Sequence, residues 1–137
     1  AKKLMGVDLS EKMIALANAK ELYHELHVMS LEDYLQGKKR CFDMIVAADV
    51  FVYTGRLDSI FAACYAALKP KGFFLFSCEH TDTAPYTLLP SGRFAHHPDA
   101  IAALARDTHF KIHACQSVQT RTQYDTAVMG DLYVLQR

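Results

Sequence analysis

The spacing of apolar positions changes several times along the chain, and each change marks an element. A short apolar run at residues 3–7 (KLMGV) ends at Asp8, and Ser10 then offers a helix N-cap ahead of Met13, Ile14, Leu16 and Ala17, which fall at helical spacings through about Tyr23. This predicts a strand, a turn and a helix. Residues 27–30 (HVMS) read as a second short strand, and the acidic residues of the following LEDYL suit the first turn of a brief helix. Residues 44–50 (MIVAADV) are almost continuously apolar, as expected of a strand covered on both faces of a parallel sheet, with Asp49 the exception near the end.

Leu57, Ile60, Phe61, Cys64 and Leu68 repeat at intervals of three and four, so residues 56–68 read as an amphipathic helix stopped by KPKG. Residues 73–78 (FFLFSC) follow as a buried strand. The polar stretch 79–97, holding Pro85, Pro90 and Gly92, reads as a loop longer than a plain connection, and such loops commonly carry function. Pro98 opens a last helix (PDAIAALARDT), and two strand-like runs, 110–121 and 126–137, are expected to pair antiparallel, joined near TQYD. Strands alternating with helices predict one α/β domain built on a doubly wound, mostly parallel sheet with a C-terminal antiparallel hairpin.

Composition narrows the classes of function. About half of the 137 residues are apolar, enough to give one domain a core. Fifteen Lys and Arg balance fifteen Asp and Glu, and the longest basic run is GKKR at 37–40, so no field suited to nucleic acid is implied. The four cysteines show no CxxC spacing and three lie in apolar stretches, which favours core thiols in a reducing compartment over a disulfide framework or a metal site. No apolar stretch approaches the roughly 20 residues that span a bilayer, and the first residues lack the order of a signal peptide. A cytoplasmic protein without a membrane partner is expected.

Asp8 raises the first question of chemistry. In a doubly wound sheet, ligands sit outside the carboxyl ends of the strands, and an acidic residue ending the second strand can accept hydrogen bonds from ribose hydroxyls. The alternative is that Asp8, three residues ahead of Glu11, caps the helix as part of a capping box.

Taken in order, GVDLSEKMIALA, FDMIVAADVFVY and ALKPKGFFLFSCE, with SGRFAHHPDAI leading into the last helix and a closing hairpin, resemble the class I S-adenosylmethionine-dependent methyltransferases over nearly the whole chain. The resemblance implies S-adenosylmethionine as cofactor and S-adenosylhomocysteine as product. It implies that Asp8 binds the ribose, that Leu9 and Met13 lie against the adenine, and that Ser30, Leu31 and Glu32 face its edge. Ser30 stands where many members have an aspartate. For Leu9 and Met13, ordinary core packing is the competing account.

The glycine-rich loop of that family has no counterpart, since all six glycines stand singly. The resemblance therefore implies that the first strand, the loop and the first helix lie upstream of Ala1. The chain would then be an incomplete domain that binds the cofactor poorly, with unpaired strand edges open to self-association.

Methyl transfer from a sulfonium is an in-line displacement in which positioning supplies much of the acceleration. Asp49 would face the methyl donor or the acceptor, and Tyr53 would stack on the acceptor or attract the sulfonium; either could instead satisfy loop backbone. His97 is the candidate base, with His96 and His80 behind it, and a surface or capping role competes in each case. Arg93 could bind an acceptor carboxylate, or it and Glu79 could simply form ion pairs. The expected function is methyl transfer to a small-molecule or protein acceptor. The alternatives are a non-catalytic scaffold domain of the same fold and a nicotinamide-dependent oxidoreductase, which explains Asp8 but not the closing hairpin.

Overall fold

Ser10 decides where the first helix begins. In the computed structural model, which describes residues 2–123 and 126–137, its Oγ accepts the backbone N–H of Met13 at 3.3 Å and starts α1 (Glu11–Asn18). The helix stops five residues before Tyr23. Two short parallel strands flank it, β1 (Met5–Asp8) and β2 (Glu25–Val28), in register from Met5↔Glu25 to Asp8↔Val28. The brief helix α2 (Leu31–Leu35) follows, capped by Ser30. These elements form one of two compact units, Ala1–Gly37; the other is Lys38–Arg137.

The second unit is built around β4 (Leu68–His80). This strand pairs parallel with β3 (Phe42–Ala47) and antiparallel with β8 (Thr126–Gln136), which in turn pairs with β7 (Lys111–Gln123). A 3-10 turn (Phe51–Tyr53) and the helices α3 (Asp58–Ala67) and α4 (Pro98–Asp107) complete it. The α/β class and the closing antiparallel hairpin are as the sequence indicates. The joining residues Tyr124 and Asp125 of TQYD lie outside the described residues.

Period-two alternation along β4 directs Phe74, Phe76 and Cys78 into the core. Phe51, Phe61 and Phe74 are fully buried, and Phe61 meets Phe74 edge-on at 5.5 Å between ring centroids. Side chains of this size contribute about 1.5–3 kcal/mol each on leaving water.

Three expectations change. The run 44–50 is covered on one face only: Ile45 and Ala47 are buried, whereas Met44 and Val46 are exposed and the strand ends at Ala47. KPKG stops α3 but is taken directly into the strand, since β4 starts at Leu68 and turns through the left-handed Lys71 (φ 65°). The stretch 79–97 is not a plain loop. It contains β5 (Tyr86–Leu88) and β6 (Phe94–His96), paired antiparallel, and β6 extends the sheet beside the end of β4 through Glu79↔Ala95 and His80↔His96. Three-residue strands are too short to show a period. Cys64 and Cys78 are buried thiols, but Cys115, on β7, is exposed. No helix among the described residues is long and apolar enough to cross a membrane.

Candidate active site

Asp8 ends β1, and its Oδ1 accepts the backbone N–H of Ser10 at 2.7 Å. The carboxylate therefore shapes the turn, and Ser10 does the capping, which removes the capping-box role for Asp8. The side chains beside it are open: Leu9 is 75% exposed and Met13 52%, so neither is a core residue of its unit. Ser30 caps α2 by accepting the N–H of Asp33 at 3.0 Å while donating its hydroxyl proton to Asp33 Oδ2 at 2.8 Å. Its hydroxyl can still accept from a ligand but has no proton left to give. Leu31 and Glu32 form the half-buried first turn of α2.

In the second unit, Asp49 follows β3 in a left-handed conformation (φ 57°), an arrangement that Asp tolerates better than most residues. Its N–H donates to Ser77 Oγ at 2.9 Å, fixing the turn to β4. The turn borders a cavity of about 360 Å³ lined by Ala48, Asp49, Val52, Ser77, Glu79 and Leu132, among others. Arg93 crosses from the segment before β6 and bonds two carboxylates, Glu79 Oε1 through Nε at 2.6 Å and Asp49 Oδ1 through Nη2. Burial is graded along this chain of charge, with side-chain exposure of 3% at Glu79, 15% at Arg93 and 69% at Asp49. The guanidinium carbon also lies 5.6 Å from the ring centroid of Tyr53, which is itself exposed. Cys78 borders the same cavity, and burial pushes its pKa up, so it stays a thiol.

The three histidines have separate surroundings. His97 caps α4, with Nδ1 accepting the N–H of Asp99 at 3.1 Å. A neutral imidazole has one lone pair, and His97 uses it on the helix. His96 is buried and donates from Nε2 to the carbonyl of Gly55 at 3.2 Å, and burial lowers its pKa. His80 Nδ1 lies 2.8 Å from Oδ2 of the buried Asp131, whose Oδ1 accepts from Ser117 Oγ at 2.6 Å. The hydrogen bond to Asp131 raises the pKa of His80, against a smaller opposing effect of burial. Sequence reasoning missed Asp131, although a lone carboxylate inside an apolar strand (MGDLYVL) was the available signal.

The structure thus groups Asp8, Leu9 and Met13 in the first unit, and Asp49, Arg93, Glu79 and Tyr53 in the second. His97 belongs to neither group. With this geometry in hand, comparison with known proteins defines the class. A SAM-dependent methyltransferase from Methanosarcina mazei superposes with a TM-score of 0.78 at 17% identity, covering 98% of this chain and 82% of that one. The fold is that of the class I S-adenosylmethionine-dependent methyltransferases. The sequence profile described as Methyltransferase domain matches residues 1–76, and the chain belongs to that family.

Two curated relatives share the name ubiquinone biosynthesis O-methyltransferase. The enzyme of Thiobacillus denitrificans is 30% identical over 93 residues, which is 64% of this chain and 39% of that protein. The mitochondrial enzyme of Rattus norvegicus is 31% identical over 64 residues, 47% of this chain and 19% of that protein. The matches therefore span less than half of either relative.

Proposed function

We propose that the chain transfers a methyl group from S-adenosylmethionine to an oxygen of a small-molecule acceptor. The observation that carries this reading is the open patch at the carboxyl end of β1, where the exposed Asp8 carboxylate is flanked by exposed Leu9 and Met13. An apolar pair left in water beside a fixed carboxylate suits a nucleoside, with ring faces against the apolar side chains and ribose hydroxyls donating to the acid. Asp8 Oδ1 already holds one N–H, and the carboxylate has lone pairs left for a ribose. Oxygen as the acceptor atom is supported by the names of the two curated relatives. A cytoplasmic setting is part of the same proposal, supported by the thiol of the buried Cys78.

When bound, the cofactor supplies a methyl already activated on a sulfonium. The chain's own residues then have the work of holding and orienting. In this reading Asp8 holds the ribose, Leu9 and Met13 flank the adenine, Ser30, Leu31 and Glu32 border its edge, and Asp49 and Tyr53 orient the acceptor. His97 is not given the base's role, because its lone pair is used in capping α4.

Calorimetric titration of S-adenosylhomocysteine into the full-length protein tests the proposal. The expected result is binding that weakens by about tenfold or more in Asp8→Ala, which removes an acceptor of two hydroxyl hydrogen bonds. Ser10→Ala, which removes only the cap, should bind as the native chain does. No binding to the native protein would overturn the proposal in favour of a non-catalytic domain of the same fold.

A further inference from the structure

We infer that the cavity bordered by β5, β6 and α4 is a binding site for a small aromatic molecule that carries one hydrogen-bond donor, with His96 as the group that accepts the hydrogen. The inference stands apart from methyl transfer and starts from a nitrogen that the fold leaves without a partner.

His96 enters the interior because β6 pairs with the end of β4, His80↔His96, and the residue is only 3% exposed. The backbone groups that act on its ring are the carbonyl of Gly55, 3.2 Å from Nε2, and that of Thr54, and carbonyls only accept. A neutral imidazole meets them with its one N–H and keeps one lone pair. Burial disfavours the second proton that would use up that lone pair. Nδ1 accordingly stands buried with no hydrogen-bond partner among the described residues. Atoms of this kind are uncommon in folded proteins, and a ligand donor that reaches one relieves the cost of leaving it unpaired.

The His96 side chain is also part of the wall of a cavity of about 480 Å³, within the roughly 300–1,000 Å³ usual for small-molecule sites. The wall is otherwise mostly apolar, from Leu57, Pro85, Tyr86, Ile101 and Leu104. Small residues make the room: Gly55 on one side, and on the other Ala100 and Ala103, which stand three apart on one face of α4. Arg56 and Asp58 border the cavity as an ion pair at 3.3 Å with 78% and 62% of their side chains exposed, so their charge lies on its solvent side. No lining residue is shared with the cavity beside Asp49.

Apolar walls around one buried acceptor suit a flat apolar ring with a single donor. The ring replaces water against the side chains, and the donor meets Nδ1. An analogue without the donor leaves the lone pair unpaired and is rejected more strongly than a small difference in size would allow. Nδ1 is covered, so the ligand reaches it through a local side-chain adjustment, a change common on binding.

Phenol and anisole test the inference, because both present one ring and one oxygen and only phenol has a hydrogen to donate. Binding to the full-length protein is followed by chemical shifts of the backbone amides of Gly55, Tyr86 and Ile101 and of the ring nitrogens of His96. The expected result is saturable binding of phenol, with anisole weaker by about tenfold or more. The unprotonated ring nitrogen of His96 should move upfield as it accepts the hydrogen bond. His96→Phe keeps a ring of similar size without the acceptor and should bring phenol down to the affinity of anisole. Ala103→Leu, a change to another good helix former at a half-buried position, fills the cavity and should weaken phenol by about tenfold or more. Should His96→Phe fail to fold, the ring nitrogen of the native chain decides. Anisole bound as tightly as phenol would overturn the inference, as would an unmoved ring nitrogen, shifts that avoid the three amides, or the absence of phenol binding. Phenol binding unchanged by Ala103→Leu would overturn it too, by placing the probe elsewhere.

Discussion

Arg93 Nε lies 2.6 Å from Glu79 Oε1, and this ion pair joins the end of β4 to the segment before β6 with the carboxylate only 3% exposed. A charge so buried is tolerated because its partner is held beside it, and removing one partner costs far more than the pair contributes. Arg93→Ala is expected to destabilise the fold by about 3–5 kcal/mol, the range for breaking a buried pair. Arg93→Lys should lose less, since it keeps the charge. Urea unfolding with an unchanged slope checks both, because a shift of midpoint alone reports stability.

The same pair shows where sequence reasoning stops. Glu79 and Arg93 were legible as an ion-pair candidate, but not that the pair is buried, because β5 and β6 are three residues each and leave no periodic trace. Long elements were legible where one face is apolar, as in α3 and in β4, whose alternating Phe74, Phe76 and Cys78 point inward. The run 44–50 misled because an apolar sequence reports what a residue tolerates and not what covers it: Met44 and Val46 stand exposed. At the candidate site, the place of Asp8 at a strand end was readable. The use of His97 was readable only as one of two competing roles, base or cap, and the structure decides for the cap, its Nδ1 accepting the N–H of Asp99 two residues on.

His80 should make stability depend on pH above the ordinary histidine range. Its hydrogen bond to Asp131, with a smaller contribution from Asp82, raises its pKa above 6.5 in the folded chain. A raised folded pKa gives stability that is fully present below the unfolded value and is lost as pH rises through the folded one. Unfolding free energy should therefore decline as pH rises from about 6.5 through the folded pKa, and the decline should vanish in Asp131→Asn. Proton NMR of the His80 ring supplies the direct check, with a titration midpoint above that of an exposed histidine. A midpoint at or below the ordinary value would refute the assignment.

His96 should act in the opposite window. Burial, the largest influence on it, lowers its pKa below 6.5, and the bond from Nε2 to the Gly55 carbonyl only partly offsets this. As pH falls below about 6.5 the unfolded chain takes up the proton first, so stability falls until the folded pKa is reached. His96→Gln keeps a donor for Gly55 without a titrating ring and should flatten this acid limb. With His80 costing stability on one side of 6.5 and His96 on the other, these two residues together place a stability maximum near that pH. Denaturant midpoints measured across the range would show the two limbs being removed separately by Asp131→Asn and His96→Gln.

Gly55 passes close against the rings of the β5–β6 hairpin, and its lack of a side chain is required by space. A Cβ there would stand 2.5 Å from Tyr86 Cε2 and 2.9 Å from Phe94 Cε1, closer than real contacts allow. Both rings are held, since they meet edge-on at 5.9 Å between centroids and Tyr86 also neighbours the buried His96. Gly55→Ala should therefore cost about 1–3 kcal/mol, the usual penalty for overpacking. If the clash with Tyr86 is the cause, the same substitution in a Tyr86→Ala background should cost measurably less, a coupling that a double-mutant cycle reads directly. Equal costs in the two backgrounds would place the strain elsewhere, first against Phe94 Cε1, which the Tyr86→Ala change leaves in place.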